Sequence, residues 1–341
     1  MVGVLVAGPH QLGGPEKAIT TALGALLAAE RAALLSGRDD ELVLVLLDAY
    51  TGLRWGELVG LEREYLRPGA VRVEWQLYQL DTGELLRCPP KDDSYRAIDL
   101  PPWLDGLLTA HLATVPAGPC PCHGLAYAFR GRGEPGYQGA VRMEDVARRA
   151  GVARATVSTL LNHPERVAEA TADRIRRAQA DLGYRRGPAE RRPMAHWRRS
   201  SFASWVFTPA VSGWYPSRGA SMEPHPVPVL AEPWPGVPVR GRGAAGRADA
   251  SWLPIARGLT PHGLRHTHRS LMEQLGTEKV LMDERMGHSD GSVSARYAHV
   301  TPAMRARLMD GITGMWTESL RARKALSASS PVRTLDRLLR D

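Results

Sequence analysis

The sequence predicts an α+β chain that is mostly helical, with a small antiparallel sheet in its first third and a separate all-α unit of three helices in its middle. Three observations lead there. Apolar residues recur at three- and four-residue spacing over most of the chain, the period of a helix with one buried face. Between residues 70 and 100, β-type runs are separated by turn residues and closed by Pro101-Pro102. From 143 to 187 three brief helical runs follow one another, with Gly151 between the first two. A length of 341 residues with 43% apolar content suggests two domains and ample material for their cores.

Residues 1–16 are rich in glycine and proline and are expected to be loose. A helix is predicted over 19–33, where Leu23, Leu26, Leu27 and then Leu34 keep helical spacing, and a largely buried one over 39–50. Gly52 ends it, and a third helix covers 55–61. Strands are expected at 70–77, 85–88 and 95–100, with a turn at 81–83. Helix returns over 103–114, and 116–140 reads as loop. The middle helices are placed at 144–150, 154–162 and 171–182, and another at 197–207. Prolines and glycines make 208–258 read as loop. Helices at 262–275, 277–286, 292–298 and 302–323 complete the chain, before a tail from 326 that is mobile at first and amphipathic at its end. No internal repeat is present.

The net charge is +8 and the isoelectric point about 9.7, which points to a polyanionic partner. The surplus is concentrated. Residues 141–200 hold fourteen arginines against seven acids, an excess of seven. Only Lys17, Lys91, Lys279 and Lys324 are lysines among 44 basic residues, so a lysine kept between two strands stands out. Three cysteines (Cys88, Cys120, Cys122) cannot build a disulfide framework, and a reducing cytoplasm is expected. No apolar run is long enough to span a membrane, and the N-terminus lacks a signal-peptide core. Cys120, Cys122 and His123 suggest zinc, but no fourth ligand stands at suitable spacing; the expectation is a plain loop, with no metal and no cofactor.

Four phrases carry chemistry: TGLRWGEL (51–58), PPKDDSYRAIDLP (89–101), PHGLRHTHRS (261–270) and MGHSDGSVSARYAHV (286–300). They contain Arg54, Lys91, His262, Arg265, His288 and Tyr297. A phosphodiester under attack gains charge on its non-bridging oxygens, and planar guanidiniums match two oxygens at once. Arg54 follows a glycine turn at a helix start, and Arg265 stands one turn after His262, so His262 and Arg265 share a face. His288 adds a hydrogen bond, Tyr297 a phenol, and Lys91 an acid able to protonate a leaving 5′ oxygen. Once its proton passes to His262, the phenolate attacks phosphorus, leaving a phosphotyrosine and a 5′-hydroxyl. Neither ATP nor metal is required.

In their content and order these phrases resemble the catalytic boxes of the tyrosine recombinase (phage integrase) family, over residues 19–130 and 195–315. The resemblance implies Arg54 and Arg265 as the arginine pair, Lys91 as the hairpin lysine, His262 and His288 as the two histidines, Tyr297 as nucleophile, and Glu57 as the acid supporting the first arginine. It also implies DNA as substrate and a C-terminal helix that can dock on a neighbouring copy, giving a tetramer on DNA. Family members usually carry a helical core-binding domain ahead of these boxes; here Arg54 comes too early for one, so a truncated, mis-started or degraded form is expected. The alternative is a DNA-binding regulator built on an integrase scaffold that no longer cleaves.

The segment 143–187 reads as a three-helix unit. Ala147 and Ala150 keep the first helix thin, Gly151 turns the chain, Val152 and Val157 fill a small core, and Ile175, Ala178 and Leu182 close it. Its ATVS, LN and LGY phrases resemble the helix-turn-helix headpiece of lactose-repressor-type regulators. That resemblance implies base reading by Arg154 and Ala155, backbone contacts by Thr156, Ser158 and Asn162, and a weak reading position at Thr159. The division expected is a loose N-terminus (1–18), a first catalytic part (19–140), the insertion (141–190), a second catalytic part (191–323) with its loop at about 208–258, and a tail (324–341). The ends of the insertion are expected to lie close together.

Overall fold

Alanine and leucine on every side of α1 (Ala22–Ser36) make a helix meant for complete burial, and nearly all its residues from Gly24 to Ser36 are buried. Thr21 caps its start, the hydroxyl accepting from the Gly24 amide at 3.1 Å. The computed structural model describes residues 18–80, 84–115, 118–120, 123–131, 143–182, 196–215, 225–226, 228–229, 250–251, 255–288 and 299–340. Beside α1 lies α2 (Asp40–Thr51), buried along almost its whole length. Helices that are apolar all round belong at the centre, and the others are arranged about this pair.

Gly52, at φ +64°, ends α2 in the left-handed region. A Cβ there would meet His268 and Met286 at 2.9 Å, so both the turn and the close approach require glycine. The turn delivers α3 (Trp55–Val59) and then a small antiparallel sheet of β1 (Leu66–Arg67), β2 (Ala70–Val73) and β5 (Arg96–Asp99), in the order β1-β2-β5 with Val71 opposite Ile98. The single strand expected over 70–77 is in fact two. The chain breaks at Glu74-Trp75, and β3 (Gln76–Gln79) pairs instead with β4 (Leu85–Cys88) as a separate hairpin. Two contacts hold the break: the Arg87 guanidinium stacks 3.5 Å over the Trp75 ring, and the Trp75 indole donates to Tyr65 Oη at 3.1 Å. The hairpin leans so closely on α3 that a Cβ on Gly60 would lie 2.8 Å from the Leu77 amide nitrogen.

Helix α4 (Pro102–Thr114) packs on α2, and its Trp103 stacks face to face on Trp316 with centroids 4.0 Å apart. The middle of the chain forms α5 (Met143–Ala150), α6 (Arg154–Asn162) and α7 (Glu169–Leu182) around a small core of its own, led by Val146, Val157, Ala172 and Ile175. Gly151 makes the left-handed turn between α5 and α6. The Leu182 side chain lies outside the described set.

The two flanks of this unit meet. A Cβ on Gly131 would lie 2.6 Å from the backbone of His196 and Trp197. Both flanks are anchored at the start of α2: Arg38 donates to the carbonyls of Arg130 (2.8 Å) and Gly131 (3.0 Å), and the Trp197 indole donates to Glu41 at 2.9 Å.

The helix expected at 197–207 starts later and runs further, as α8 (Arg199–Phe202), a π turn (Ala203–Phe207) and α9 (Thr208–Ser212). Pro209 has no amide to donate and its ring would press on the preceding turn, which the wider π turn relieves. The stretch expected as loop after 208 holds short antiparallel pairs, β6 (Trp214–Tyr215) with β7 (His225–Pro226) and β8 (Pro228–Val229) with β9 (Ala250–Ser251). Then come α10 (Pro261–Gln274), α11 (Lys279–Met286), α12 (Pro302–Leu326) and α13 (Arg333–Arg340). The helix expected at 292–298 lies outside the described residues.

The tail is docked rather than loose. Val332, Leu335 and Leu339 are buried in the main core, each contributing about 1.5–3 kcal/mol. Arg323, fully buried, makes a two-pronged pair with Glu30 at 2.7 and 2.6 Å, and Ser330 donates to the same carboxylate at 2.7 Å. The apolar face of α12 (Leu308, Ile312, Trp316) lies against its own chain. No helix among the described residues is long and apolar enough to cross a membrane.

Candidate active site

Arg54 stands where the chain leaves Gly52 and enters α3. Its backbone amide donates to Glu57 Oε2 at 2.8 Å while its own guanidinium donates to Glu57 Oε1 at 2.8 Å. Glu57 is buried and also receives both terminal nitrogens of Arg96, at 2.7 and 3.1 Å. Burial would raise this carboxyl; the hydrogen bonds and charge of Arg96, joined by those of Arg54, overcome it and hold Glu57 below the usual carboxylate value. Glu57 therefore stays charged and fixes Arg54 in one orientation. Arg54 also donates to Ser94 Oγ at 2.7 Å and to the Gly287 carbonyl at 3.3 Å.

Arg265 reaches the same place from α10. It is 3% exposed, and its guanidinium donates to the carbonyls of Gly52 and Met286 and meets His288 Nε2 at 3.0 Å. Burial, then repulsion from Arg54, lowers its pKa to about 10, which leaves it charged at neutral pH. An arginine can only donate, so His288 Nε2 accepts and Nδ1 carries the proton, 4.0 Å from Asp283 Oδ1. Burial and then the charge of Arg265 hold His288 below the ordinary imidazole value, in keeping with this neutral tautomer. Gly287, left-handed at φ +64°, ends α11 and presents His288.

Arg54 lines two adjoining clefts. One, of about 770 Å³, is shared with Trp55, Trp197, Arg199 and His262. The other, of about 490 Å³, lies against Ser94, Arg96, Asp283 and His288. His262 is exposed on α10, its ring 4.9 Å from that of His266 and perpendicular to it. Arg54, Glu57, Arg265 and His288 thus meet through direct contacts or through the adjacent carbonyls of Met286 and Gly287, and His262 lines one of the two clefts that Arg54 borders.

Lys91 is not gathered with them. Its side chain is 71% exposed, with Nζ 4.0 Å from Asp92. The reason is the broken strand: Lys91 sits on a 3-10 turn between β4 and β5, which belong to different sheets, and so is not at a hairpin tip. Tyr297 lies outside the described residues.

Sequence reasoning overlooked three participants. Arg96 and Ser94 sit in the same phrase as Lys91, yet only their contacts to Glu57 and Arg54 reveal a part for them. Arg285, buried, donates to the Tyr50 carbonyl (3.0 Å), the Asp99 carbonyl (2.8 Å) and His268 Nε2 (3.0 Å), bracing α11 against α2, β5 and α10. No pattern in the sequence singles it out from other helix arginines.

Comparison with known proteins bears on the middle segment. Residues 142–187 match the model for bacterial regulatory proteins of the lacI family. The match spans α5 to α7. Among solved structures, the chain is similar to the Tn1549 transposon integrase in complex with transposon right end DNA, at 15% identity and a TM-score of 0.41, covering 93% of this chain and 68% of that one. It is similar too to the same integrase in complex with circular intermediate DNA, at 15% identity and a TM-score of 0.41, with 88% and 68% covered. No curated protein matches the chain.

Within the lacI-type unit, Ala155 is exposed and Thr156, Ser158 and Thr159 are half-buried on α6. The Thr159 hydroxyl donates back to the Ala155 carbonyl at 2.9 Å, so its proton is already engaged within the helix. The side chains of Arg154 and Asn162 lie outside the described set.

Proposed function

We propose that this protein is a DNA strand transferase of the tyrosine recombinase type, and that residues 141–190 form an inserted lacI-type unit that adds a second set of DNA contacts. The observation that carries the reading is the meeting of Arg54 and Arg265. Two guanidiniums from distant parts of the chain are held side by side despite their repulsion, one by Glu57 and one by backbone carbonyls, with neutral His288 against them. A phosphodiester is the ligand such a pair suits, since its two non-bridging oxygens would relieve that repulsion.

In this scheme Arg54 and Arg265 bind the non-bridging oxygens and hold the charge that grows on them. His262 takes the proton of Tyr297, whose oxygen attacks phosphorus. The bond to the 5′ oxygen breaks, and that oxygen takes a proton from Lys91. The product is a 3′-phosphotyrosine and a free 5′-hydroxyl, and attack by a second 5′-hydroxyl reverses the step on another strand. Lys91 must swing in from its exposed position for this to occur. Exchange between two duplexes needs four cleavages, so a tetramer on DNA, working in the cytoplasm without metal or nucleotide, belongs to the reading.

The exposed position of Lys91 favours one competing reading, a DNA-binding regulator that no longer cleaves. A nicked suicide duplex taken from the sequence flanking the gene separates the two. A covalent protein–DNA adduct that disappears in Tyr297→Phe supports the transferase. Binding without any adduct supports the regulator and overturns the proposal.

A further inference from the structure

Where the chain leaves for the lacI-type unit and where it returns, three ligand atoms converge. Cys120 Sγ and one ring nitrogen each of His123 and His196 lie within 4.8 Å of one another. Counting along the chain finds no partner for Cys120 and His123, because His196 lies on the far side of the insertion. The fold supplies it: a Cβ on Gly131 would touch the His196 backbone, so the outgoing and returning strands run together here.

We infer that Cys120, His123 and His196 bind a zinc ion that fastens the two ends of the chain at the base of the inserted unit. Four features of the geometry support this. The Cys120 Sγ to His123 Nδ1 separation is 3.6 Å; bonds of about 2.3 Å to sulfur and about 2.05 Å to nitrogen at a tetrahedral angle span about 3.6 Å. The other nitrogen of His123 meets the Leu85 carbonyl at 2.8 Å, and since a carbonyl only accepts, Nε2 holds the proton and Nδ1 offers its lone pair to the site. Cys120 Sγ accepts the His123 amide at 3.2 Å, a contact suited to a metal-bound sulfur, and the tight turn is closed by the Cys120 amide donating to the Leu125 carbonyl and the Gly124 amide donating to that of Cys120. Both His196 ring nitrogens are buried and, a loose approach to the Val59 backbone aside, neither makes a hydrogen bond. A buried imidazole without a firm partner, aimed at a cysteine and a second histidine, is the arrangement a borderline-soft cation completes.

Binding exchanges the thiol proton of Cys120 for the metal, the proton passing to solvent. His196 stands within 4.8 Å of both partners, and tetrahedral binding would set the ligand atoms about 3.3–3.6 Å apart. Three protein ligands leave the fourth tetrahedral position to water, and the ion joins Cys120 and His123 to the segment that re-enters the main core at Trp197. It is independent of the strand-transfer reading.

The test is metal analysis of the full chain purified without chelator, followed by titration of the stripped protein with Co²⁺. About one zinc per chain is expected and, with cobalt, a thiolate-to-metal charge-transfer band. His196→Gln loses both, while His196→Cys, which replaces one zinc ligand by another, keeps them. Chelation lowers the melting temperature of the wild type and leaves that of His196→Gln unchanged. Absence of zinc together with absence of the cobalt band overturns the inference, as does a His196→Gln variant that loads like the wild type. Loss of metal in Cys122→Ser but not in His196→Gln overturns it as well, by confining the site to one loop.

Discussion

The arginine cluster at Arg54 and the lacI-type unit use the same side chain in opposite ways. Around Arg54 the guanidiniums of Arg96, Arg265 and Arg285 are buried, and each is held by carboxylates, carbonyls or histidine nitrogens from several elements. In α5 and α7, Arg148, Arg149, Arg174, Arg176 and Arg177 are exposed, and the pairs described there, such as Arg149 with Asp181, are themselves exposed. Exposed pairs contribute about 0–1 kcal/mol and release easily, whereas a buried charge is costly to leave unpartnered. Under the proposed function the contrast separates two tasks. Stabilising a reacting phosphate needs donors fixed in advance. Holding a duplex by its phosphates needs positive charge at the surface, free to adjust.

Substitutions in the two regions should therefore fail in different ways. Arg265→Ala removes a fixed donor and leaves the Gly52 and Met286 carbonyls unmet. Adduct formation on a suicide duplex should fall by about 10²–10³, with DNA affinity changed far less. Equal losses in both would show that Arg265 merely tethers DNA. The next largest effect is on stability: Ile175→Ala empties the centre of the small core and should cost about 2–5 kcal/mol within α5–α7. Limited proteolysis should then cut first between 143 and 182, while melting of the main core stays in place; a single shared melt would join the two cores into one cooperative unit. Deleting 141–190 should weaken DNA binding and flatten its dependence on salt, by about one unit of slope for each phosphate that is no longer neutralised. An unchanged slope would remove the unit from the DNA interface.

The smallest effect is on pH dependence. Burial, then the charge of Arg265, hold His288 below its ordinary value of 6.5 in the folded chain. The unfolded chain therefore takes up this proton first as pH falls through about 6.5, and the folded state loses stability from there down to its own lower pKa. An NMR titration of His288 should give a midpoint below 6.5, moving up in Arg265→Gln; a midpoint indifferent to that substitution would break the link between the two residues.

How much could be read in advance follows from the distance between partners. Strand β4 and helix α6 end where expected because their signals lie within the segment itself. The strand expected at 70–77 failed at Glu74-Trp75, where the stack of Arg87 on Trp75 and the pressure of α3 decide the path. The first part of the tail, expected to be mobile, is held at Ser330 by Glu30, nearly the whole chain away. In the proposed site, the phrases named Arg54, Glu57, Arg265 and His288, which the fold brings together. They also named His262 on a bordering cleft, the exposed Lys91, and Tyr297, which lies outside the described residues. Arg96, Arg285 and His196 were not legible in advance, since each matters through a partner that no local spacing reveals.

By itself, then, the sequence determined the mostly helical α+β class, the place of most helices and the basic middle segment. These rest on apolar period, turn chemistry and residue type, all local properties. Only the tertiary structure decided that Gly52 would accept Arg265 at the same turn that presents Arg54, that Lys91 would face solvent, and that His196 would return to Cys120 and His123. Those outcomes depend on which distant surfaces pack together, and close packing settles that only when the whole chain is in place.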